Sequence, residues 1–447
     1  MSTPTRILDL RTARLRHLAR EFRSTARRLG WGVADQAVSS ITNFAVGAVI
    51  ARSLGVVEFG VFALVGTTYG VLLNISRGLS TDPLVVRFSG RPNEVWRAAA
   101  RASSGTALLI GLATGVISVV GGAIAGGSVG GAYVALGISV PLLLIQDSVR
   151  FAFFASGDGR KAFFNDLVWA VALVPTMLVA AQFNTIFAFV VAWGTAAGAG
   201  AVFGAFQTRM LPSLRGTPDW LRQQRDLGIR YLLENIAASG GIQLRMSGLG
   251  AIVGLASVGA YRGAQLAIGP LIAVLMGFGL VAIPEASRAL QHSTRRFTLF
   301  CLTLGGGQAC ATLLWGLGLI LVIPDRLGTF VLGSVWAPAS GLFVPVVLAV
   351  VLGSFSAGAS AGLRALGAAR FSLRSQLFEA TTGLAGTLLG AVLGGLAGAC
   401  WGIVIAAAFC LAVWWGHLHA ALRERASDPE RSERTTSPGA TREEIGI

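Results

Sequence analysis

Charge is scarce in this chain of 447 residues. Asp, Glu, Lys and Arg make up 13% of it, about half the roughly 25% of an ordinary soluble domain. None occurs from Ala102 to Gln146, from Leu167 to Thr208 or from Ala380 to Leu422. A membrane span needs roughly 20 apolar residues, so each stretch accommodates two helices and a turn. Only helices satisfy their own backbone in lipid at these lengths, which excludes a large water-soluble core. Lysine is almost absent, Lys161 being the single copy. Cys301, Cys310, Cys400 and Cys410 are the only cysteines. All fall inside predicted spans without metal-ligand spacing, which excludes a disulfide framework and a structural metal site. Residues 157–161 lack the Gly-Lys-Ser/Thr of a phosphate-binding loop, and the outward loops offer too few acids for a metal-dependent transferase. His417 and His419, beside Trp414 and Trp415, read as an interfacial anchor rather than as metal ligands. The chain is expected not to be an enzyme, and no cofactor or metal is expected.

What is present is hydrophobic, at 53% of residues. Twelve spans are predicted, at 30–52, 58–81, 102–125, 131–156, 163–183, 185–208, 227–252, 257–282, 297–323, 340–364, 375–396 and 398–419. The net charge of +15 could signal nucleic-acid binding, but its distribution follows membrane topology, and no nucleic-acid partner is expected. Even-numbered connections hold the cations, such as Arg87, Arg91, Arg97 and Arg101, then Arg160 and Lys161, whereas odd-numbered ones hold only Arg52 and Arg326. The positive-inside rule then puts the even loops and both termini in the cytoplasm of a bacterial inner membrane.

Five segments follow. Residues 1–29 carry eight Arg and no apolar signal core; Leu8, Leu15, Leu18, Phe22 and Leu29 share one helical face, which predicts a basic amphipathic segment on anionic inner-leaflet lipid. A first six-helix lobe covers 30–208, a cytoplasmic linker 209–226, a second six-helix lobe 227–419, and a disordered mixed-charge tail 420–447. The lobes are internal repeats. Leu54–Phe62 matches Val253–Tyr261 at an offset of 199, where Asp35-Gln36 also falls on Glu234-Asn235; Pro83 and Arg87 match Pro284 and Arg288; Gly157, Arg160 and Leu167 match Gly367, Arg370 and Leu377. Six spans per copy make the repeats parallel, with the substrate path expected between the halves. Gly66/Gly70, Gly122/Gly126, Gly194/Gly198, Gly250/Gly254 and Gly390/Gly394 form G-x-x-x-G pairs, which predict close helix packing.

Polar residues inside spans are the candidate site, since each charge at mid-bilayer costs roughly 2.5–3.5 kcal/mol. Substrate contacts are expected from Arg245, Arg262, Arg77, Arg150, Asn43, Gln36 and Asn235, and gating or ion coupling from Asp35, Glu234 and Asp147. Asp147 and Arg150, three apart, also fit a local neutralising pair, and Arg77 could instead snorkel to headgroups. Arg245 lies too deep for that, about three turns from Glu234, and its planar fork suits phosphate oxygens.

Three stretches carry a resemblance. Val49–Leu64 (VIARSLGVVEFGVFAL), Val331–Ala339 (VLGSVWAPA) and Arg364–Arg370 (RALGAAR) resemble the motifs flanking the second and tenth helices of the polysaccharide (O-antigen type) flippase family, part of the multidrug/oligosaccharidyl-lipid/polysaccharide (MOP) exporter superfamily. The resemblance spans residues 30 to 419. It implies an all-α, V-shaped, twelve-helix exporter that carries a polyprenyl-(pyro)phosphate-linked sugar from inner to outer leaflet by alternating access, for cell-surface polysaccharide synthesis. Peptidoglycan-precursor flippases of the superfamily usually have fourteen spans, so that cargo is disfavoured. Expected partners are the lipid-linked sugar, anionic lipids and a polysaccharide polymerase or glycosyltransferases. A multidrug/cation antiporter with Asp35 or Glu234 as ion site, and a non-transporting scaffold of a polysaccharide synthase, are the alternatives. Cysteines introduced at Ser128 and Gly216 should react with impermeant thiol reagents from opposite sides of the membrane; labelling of both from outside contradicts the twelve-span topology.

Overall fold

Lipid offers no hydrogen bonds to a peptide group, and the chain answers this with helix after helix. The computed structural model describes Trp31, residues 34–89 and residues 91–427. The basic segment at 1–29 and the end of the tail at 428–447 lie outside these residues. The long helices are α1 (Ala34–Leu54), α2 (Val56–Leu79), α4 (Asn93–Ala125), α5 (Gly127–Ser156), α6 (Gly159–Phe183), α7 (Ile186–Thr208), α8 (Thr217–Val253), α9 (Leu255–His292), α10 (Thr294–Leu321), α13 (Phe343–Ala365) and α14 (Ala369–Ser427). Short helices α3 (Thr81–Phe88), α11 (Asp325–Leu332) and α12 (Trp336–Ser340) join them. No strand occurs among the described residues.

Among the described residues, ten helices are long and apolar enough to cross a membrane. Two further spans are hidden for physical reasons. α14 leaves helical geometry at Gly394 and Gly395 and is two helices joined by a kink. α8 carries Arg230, Glu234 and Arg245, which lower its hydropathy below that of its neighbours. With these, the count reaches the expected twelve. The protein is a multi-pass membrane protein. The last helix continues to Ser427, so the first turns of the segment expected to be a disordered tail are helical. The connection at 324–339, expected to face outward, is likewise not an open loop, since it folds into α11 and α12.

Two compact units divide the chain: Met1–Ala273 with Asp325–Pro338, and Val274–Pro324 with Ala339–Ile447. In the first, α5 is the central helix, packed on α4, α7 and α2, while α2 also lies along α8. α8, expected in the second lobe, thus packs within the first unit. Here the first two family-like motifs meet: Arg52 donates to the Phe330 carbonyl (2.6 Å) and lies over the Phe330 ring, and Gly55 approaches Ser334. In the second unit α13 packs on α10 and α14 around Phe297, Cys301, Leu363, Trp414 and Leu418. Cys301, Cys400 and Cys410 are buried packing residues and Cys310 is exposed. His417 shares a hydrogen bond with Ser375 (2.7 Å) and packs on Phe371.

The repeats are written into the backbone. A Cβ on Gly60 would overlap the Leu255 carbonyl, and a Cβ on Gly259, at the same offset of 199, would overlap the Val56 carbonyl. α2 and α9 therefore cross in a reciprocal contact that only hydrogen side chains permit. A second equivalence closes α5 and α13. The amides of Asp158 and Gly157 bond the carbonyls of Phe153 and Phe154, and those of Ala368 and Gly367 bond Leu363 and Arg364, all near 3.0 Å. Gly157 and Gly367 have φ of 76° and 66°, the left-handed closing residue of a Schellman turn. The G-x-x-x-G expectation of close packing holds for both members of Gly194/Gly198, set against Ser139 and Leu142, and for one member each of Gly122/Gly126, Gly250/Gly254 and Gly390/Gly394. Gly66, Gly70, Gly126, Gly254 and Gly394 face open space, whereas Gly386 and Gly390 pack on Gly402 and Gly398 across the α14 kink. Gly386/Gly390 and Gly398/Gly402 are each four apart, so each arm of the hairpin presents a small-residue face to the other.

Overpacking a tight contact costs about 1–3 kcal/mol. Gly60→Ala and Gly259→Ala should each lower the melting temperature in detergent by several degrees, while Gly66→Ala should leave it unchanged. Equal melting of all three would show that the α2–α9 crossing tolerates a methyl group.

Candidate functional site

The interior of the first unit holds charged side chains, and α5 supplies the scaffold. Gln146, Asp147 and Arg150 lie within little more than one turn of it, and each reaches a different neighbour because successive residues rotate by about 100°. Asp147 accepts two parallel bonds from Arg77 on α2: Nε to Oδ2 at 3.0 Å and Nη2 to Oδ1 at 2.6 Å. Arg150 donates from Nε (2.9 Å) and Nη2 to Asp35 Oδ2 on α1. Its Nε also lies 3.2 Å from Asp166 Oδ2 on α6. That contact is electrostatic rather than an aligned hydrogen bond, because Asp166 Oδ2 has no hydrogen-bond donor. Gln146 donates to Asp166 Oδ1 (2.9 Å) and Asn165 Oδ1 (3.2 Å), and Asn165 donates to the Gly200 carbonyl of α7 (2.7 Å). Arg77 lies over Phe151 and Arg150 over Phe154, guanidinium to ring centre 4.7 and 5.6 Å, which adds cation–π attraction on the sides free of carboxylate.

The charges do not balance. Asp35, Asp147 and Asp166, with side chains 1%, 7% and 1% exposed, face two guanidiniums, Arg77 and Arg150. One carboxylate is in excess, and Asp35 Oδ1 has no hydrogen-bond partner. A buried, uncompensated carboxylate is strongly disfavoured, so the cluster can take up a proton or a small cation.

The structure revises the local reading of several residues. Asp147 neutralises Arg77, not Arg150, because the Arg77 fork presents two donors across the helix interface while Arg150 is already held by Asp35 and Asp166. Arg77 does not snorkel. Asn235 donates to the Asn74 carbonyl (3.1 Å) and Asp82 (2.9 Å), tying α8 to the α2–α3 junction. Gln36 is exposed and reaches only Ser40 (3.4 Å). Asn43 and Glu234 are exposed. Arg262 is exposed and bonds Gln265 one turn on (3.3 Å). Arg245 is half-buried, and no hydrogen bond or ion pair among the described residues joins it to the α5 cluster. Sequence reasoning missed Asp166, Gln146 and Asn165. Asp166 stands at the start of a charge-free run, inside a predicted span, and the same cost argument that picked out Asp35 applies to it. A second polar ladder, from Gln243 to Thr68 (2.9 Å) and on to Tyr133 (2.8 Å), also links α8, α2 and α5.

Removing one partner of a buried ion pair typically costs about 3–5 kcal/mol. Asp147→Asn should therefore reduce the yield of folded protein sharply, and Arg77→Gln with Asp147→Asn should recover part of the loss. Size-exclusion chromatography and melting in detergent report both; a double variant no better than the single one contradicts a mutual pair.

No family model matches this chain, and no curated protein matches it in sequence. Solved structures do. An inward-facing multidrug resistance MATE family transporter of the MOP superfamily superposes with a TM-score of 0.67 at 15% identity, over 87% of this chain and 96% of that one. The lipid II flippase MurJ, in an inward closed conformation, superposes with 0.66 at 11% identity over 86% of each chain. An outward-facing MATE transporter of the same superfamily gives 0.55 at 12% identity, over 90% and 96%. All three are transporters or flippases, not enzymes, and at these identities the likeness is one of fold. The chain has the fold of the MOP superfamily transporters.

Proposed function

We propose that the protein is a flippase that carries a polyprenyl-(pyro)phosphate-linked sugar from the inner to the outer leaflet by alternating access. The observation that carries the cargo reading is Arg245, a half-buried cation on a membrane-spanning helix with no hydrogen-bond or ion-pair partner among the described residues. An unpaired guanidinium at such depth is costly, and an anion that visits it removes the cost. Phosphate oxygens match the guanidinium fork, and a polyprenyl chain suits a carrier open to lipid. Lobes at 30–208 and 227–419 would move about the cargo, each taking one side of the cycle. The excess carboxylate among Asp35, Asp147 and Asp166 supports coupling to a proton or cation gradient, with Arg150 exchanging partners between Asp35 and Asp166 as one of them is neutralised.

A second reading, a multidrug/cation antiporter, draws on the same acid excess. It needs no phosphate site, so Arg245 separates the two. Loss of a charge-assisted bond is worth about 1.5–3 kcal/mol, which corresponds to a roughly 10- to 100-fold loss of transport. In a flippase-deficient strain complemented at matched protein levels, Arg245→Ala should abolish glycan export and Arg245→Lys impair it. Normal export by Arg245→Ala overturns the phosphate site. Full export of cationic dyes by a variant that fails to export glycan would favour the antiporter.

A further inference from the structure

At the end of the first unit where the Arg-rich connections gather, a cavity of about 320 Å³ opens between the starts of α4 and α6 and the end of α7. Three of the cations on those connections line it, Arg91, Arg97 and Lys161, against one carboxylate, Asp158, so two positive charges are in excess. The cations come from two separate parts of the chain, Arg91 and Arg97 around the start of α4 and Lys161 at the start of α6, and nothing in the ion cluster on α5 uses them.

Each retains donors pointing to no protein acceptor among the described residues. Arg91 is exposed and spends only Nε, on the carbonyl of Arg87 (3.4 Å). Arg97 spends Nη2 on the carbonyls of Thr208 and Arg209 (2.9 and 3.4 Å), which fixes the guanidinium at the cavity wall and leaves Nε and Nη1. Lys161 contacts Asp158 (2.9 Å) with one of three ammonium protons. Two helices add to the field. α4 begins at Asn93 on this cavity and α6 begins directly after its lining residue Asp158, and the first-turn amides of both carry partial positive charge. Trp96 closes the wall with its ring, its indole N–H held by the Ala152 carbonyl (3.2 Å). An aromatic residue beside cations at the end of a span is the arrangement of the membrane–water boundary. Beyond the cavity, Val202 and Phe206 on α7 and Phe164 on α6 are 58%, 75% and 41% exposed, giving acyl chains an apolar surface to lie on.

We propose that this cavity binds the phosphate headgroup of an anionic phospholipid from the leaflet at this end. The binding chemistry is that of a phosphodiester: Arg91 and Arg97 supply forked donors, and Lys161 supplies a point charge that leans from Asp158 toward the phosphate. Basic pockets between spanning helices on the cytoplasmic side are suited to such headgroups. The proposal is independent of the cargo and needs only a lipid bilayer at this end of the protein. A resident lipid here would clamp α4, α6 and α7 together outside the ion cluster.

The single lysine makes the test direct. The full-length protein is placed in nanodiscs of phosphatidylcholine, with or without phosphatidylglycerol, and the rate of Lys161 acylation by an uncharged amine reagent is followed by peptide-resolved mass spectrometry. A phosphate on the ammonium both shields it and keeps it protonated, so phosphatidylglycerol should slow Lys161 several-fold. The amine introduced by Arg160→Lys, exposed at the same surface but outside the cavity, corrects for surface potential and should slow much less. Arg91→Ala removes a surface side chain with one backbone contact, leaves the fold intact, and should abolish the protection. Inorganic phosphate in phosphatidylcholine nanodiscs should not reproduce it. Equal slowing of Lys161 and the reference amine, or protection that survives Arg91→Ala, overturns the site. Protection by inorganic phosphate equal to that by phosphatidylglycerol overturns the lipid as its occupant.

Discussion

A guanidinium surrounded by hydrocarbon has to find its counter-charge inside the protein, and much of the first unit can be understood from that requirement. Arg77 and Arg150 are met by carboxylates from other helices, Asp147 on α5 for the first and Asp35 on α1 with Asp166 on α6 for the second. These contacts hold α1, α2, α5 and α6 in one register, because a slide of one turn along any of them, about 5.4 Å, would leave a charge unmatched. The aromatic rings of Phe151 and Phe154 complete the lining. Small residues let the helices come close enough for short side chains to meet. Gly194 lies on Ser139 and Gly204 on Val149, bringing α7 against α5 so that Asn165 can reach the Gly200 carbonyl.

The same requirement separates the arginines into three groups with different physical roles. Arg77 and Arg150 are neutralised and structural in this conformation, yet they sit with one carboxylate too many, which leaves the network able to respond to a proton or cation. Arg245 sits half-buried on α8, with no hydrogen bond or ion pair among the described residues joining it to that network. Among the arginines of the even-numbered connections, Arg91 and Arg97 form a cavity wall in the first unit rather than a solvated fringe. The two chemistries are distinct within the first unit: acid excess in the cluster on α5, base excess around Arg91 and Arg97.

Backbone geometry records the duplication more clearly than side chains do. Gly60 and Gly259 exchange equivalent contacts, and Gly157 and Gly367 close α5 and α13 with the same two backbone bonds. Among the described residues the ion cluster is not duplicated. Asp35-Gln36 aligns with Glu234-Asn235, but Asp35 is buried against Arg150 while Glu234 is exposed and Asn235 serves the α2–α3 junction. The two copies kept the folding signals and diverged in chemistry.

Composition and periodicity were enough to determine the class, the number of spans, the repeat and the alternation of cations, because these follow from the free energy of each residue in lipid or water taken one at a time. Even the spans hidden by charge in α8 and by the kink at Gly394–Gly395 were legible, since helix length and loop charge are local properties. The family-like motifs around Leu54 and Trp336 were legible as motifs, and the contact of Arg52 with Phe330 explains why they occur together. Which charge pairs with which was not legible. Asp147 and Arg150 look like a pair at three residues' spacing, and Gly66 and Gly70 look like a packing motif, but a helix presents its side chains outward to whatever neighbour tertiary packing provides. The partner of Asp147 is 70 residues away in the chain, and the glycines that pack tightly are those the fold sets against another helix, such as Gly60 on α9 and Gly390 on Gly398. Only the folded arrangement determines those distances, because the energy of an ion pair or a backbone contact depends on the separation of two groups in space and not on their separation along the chain.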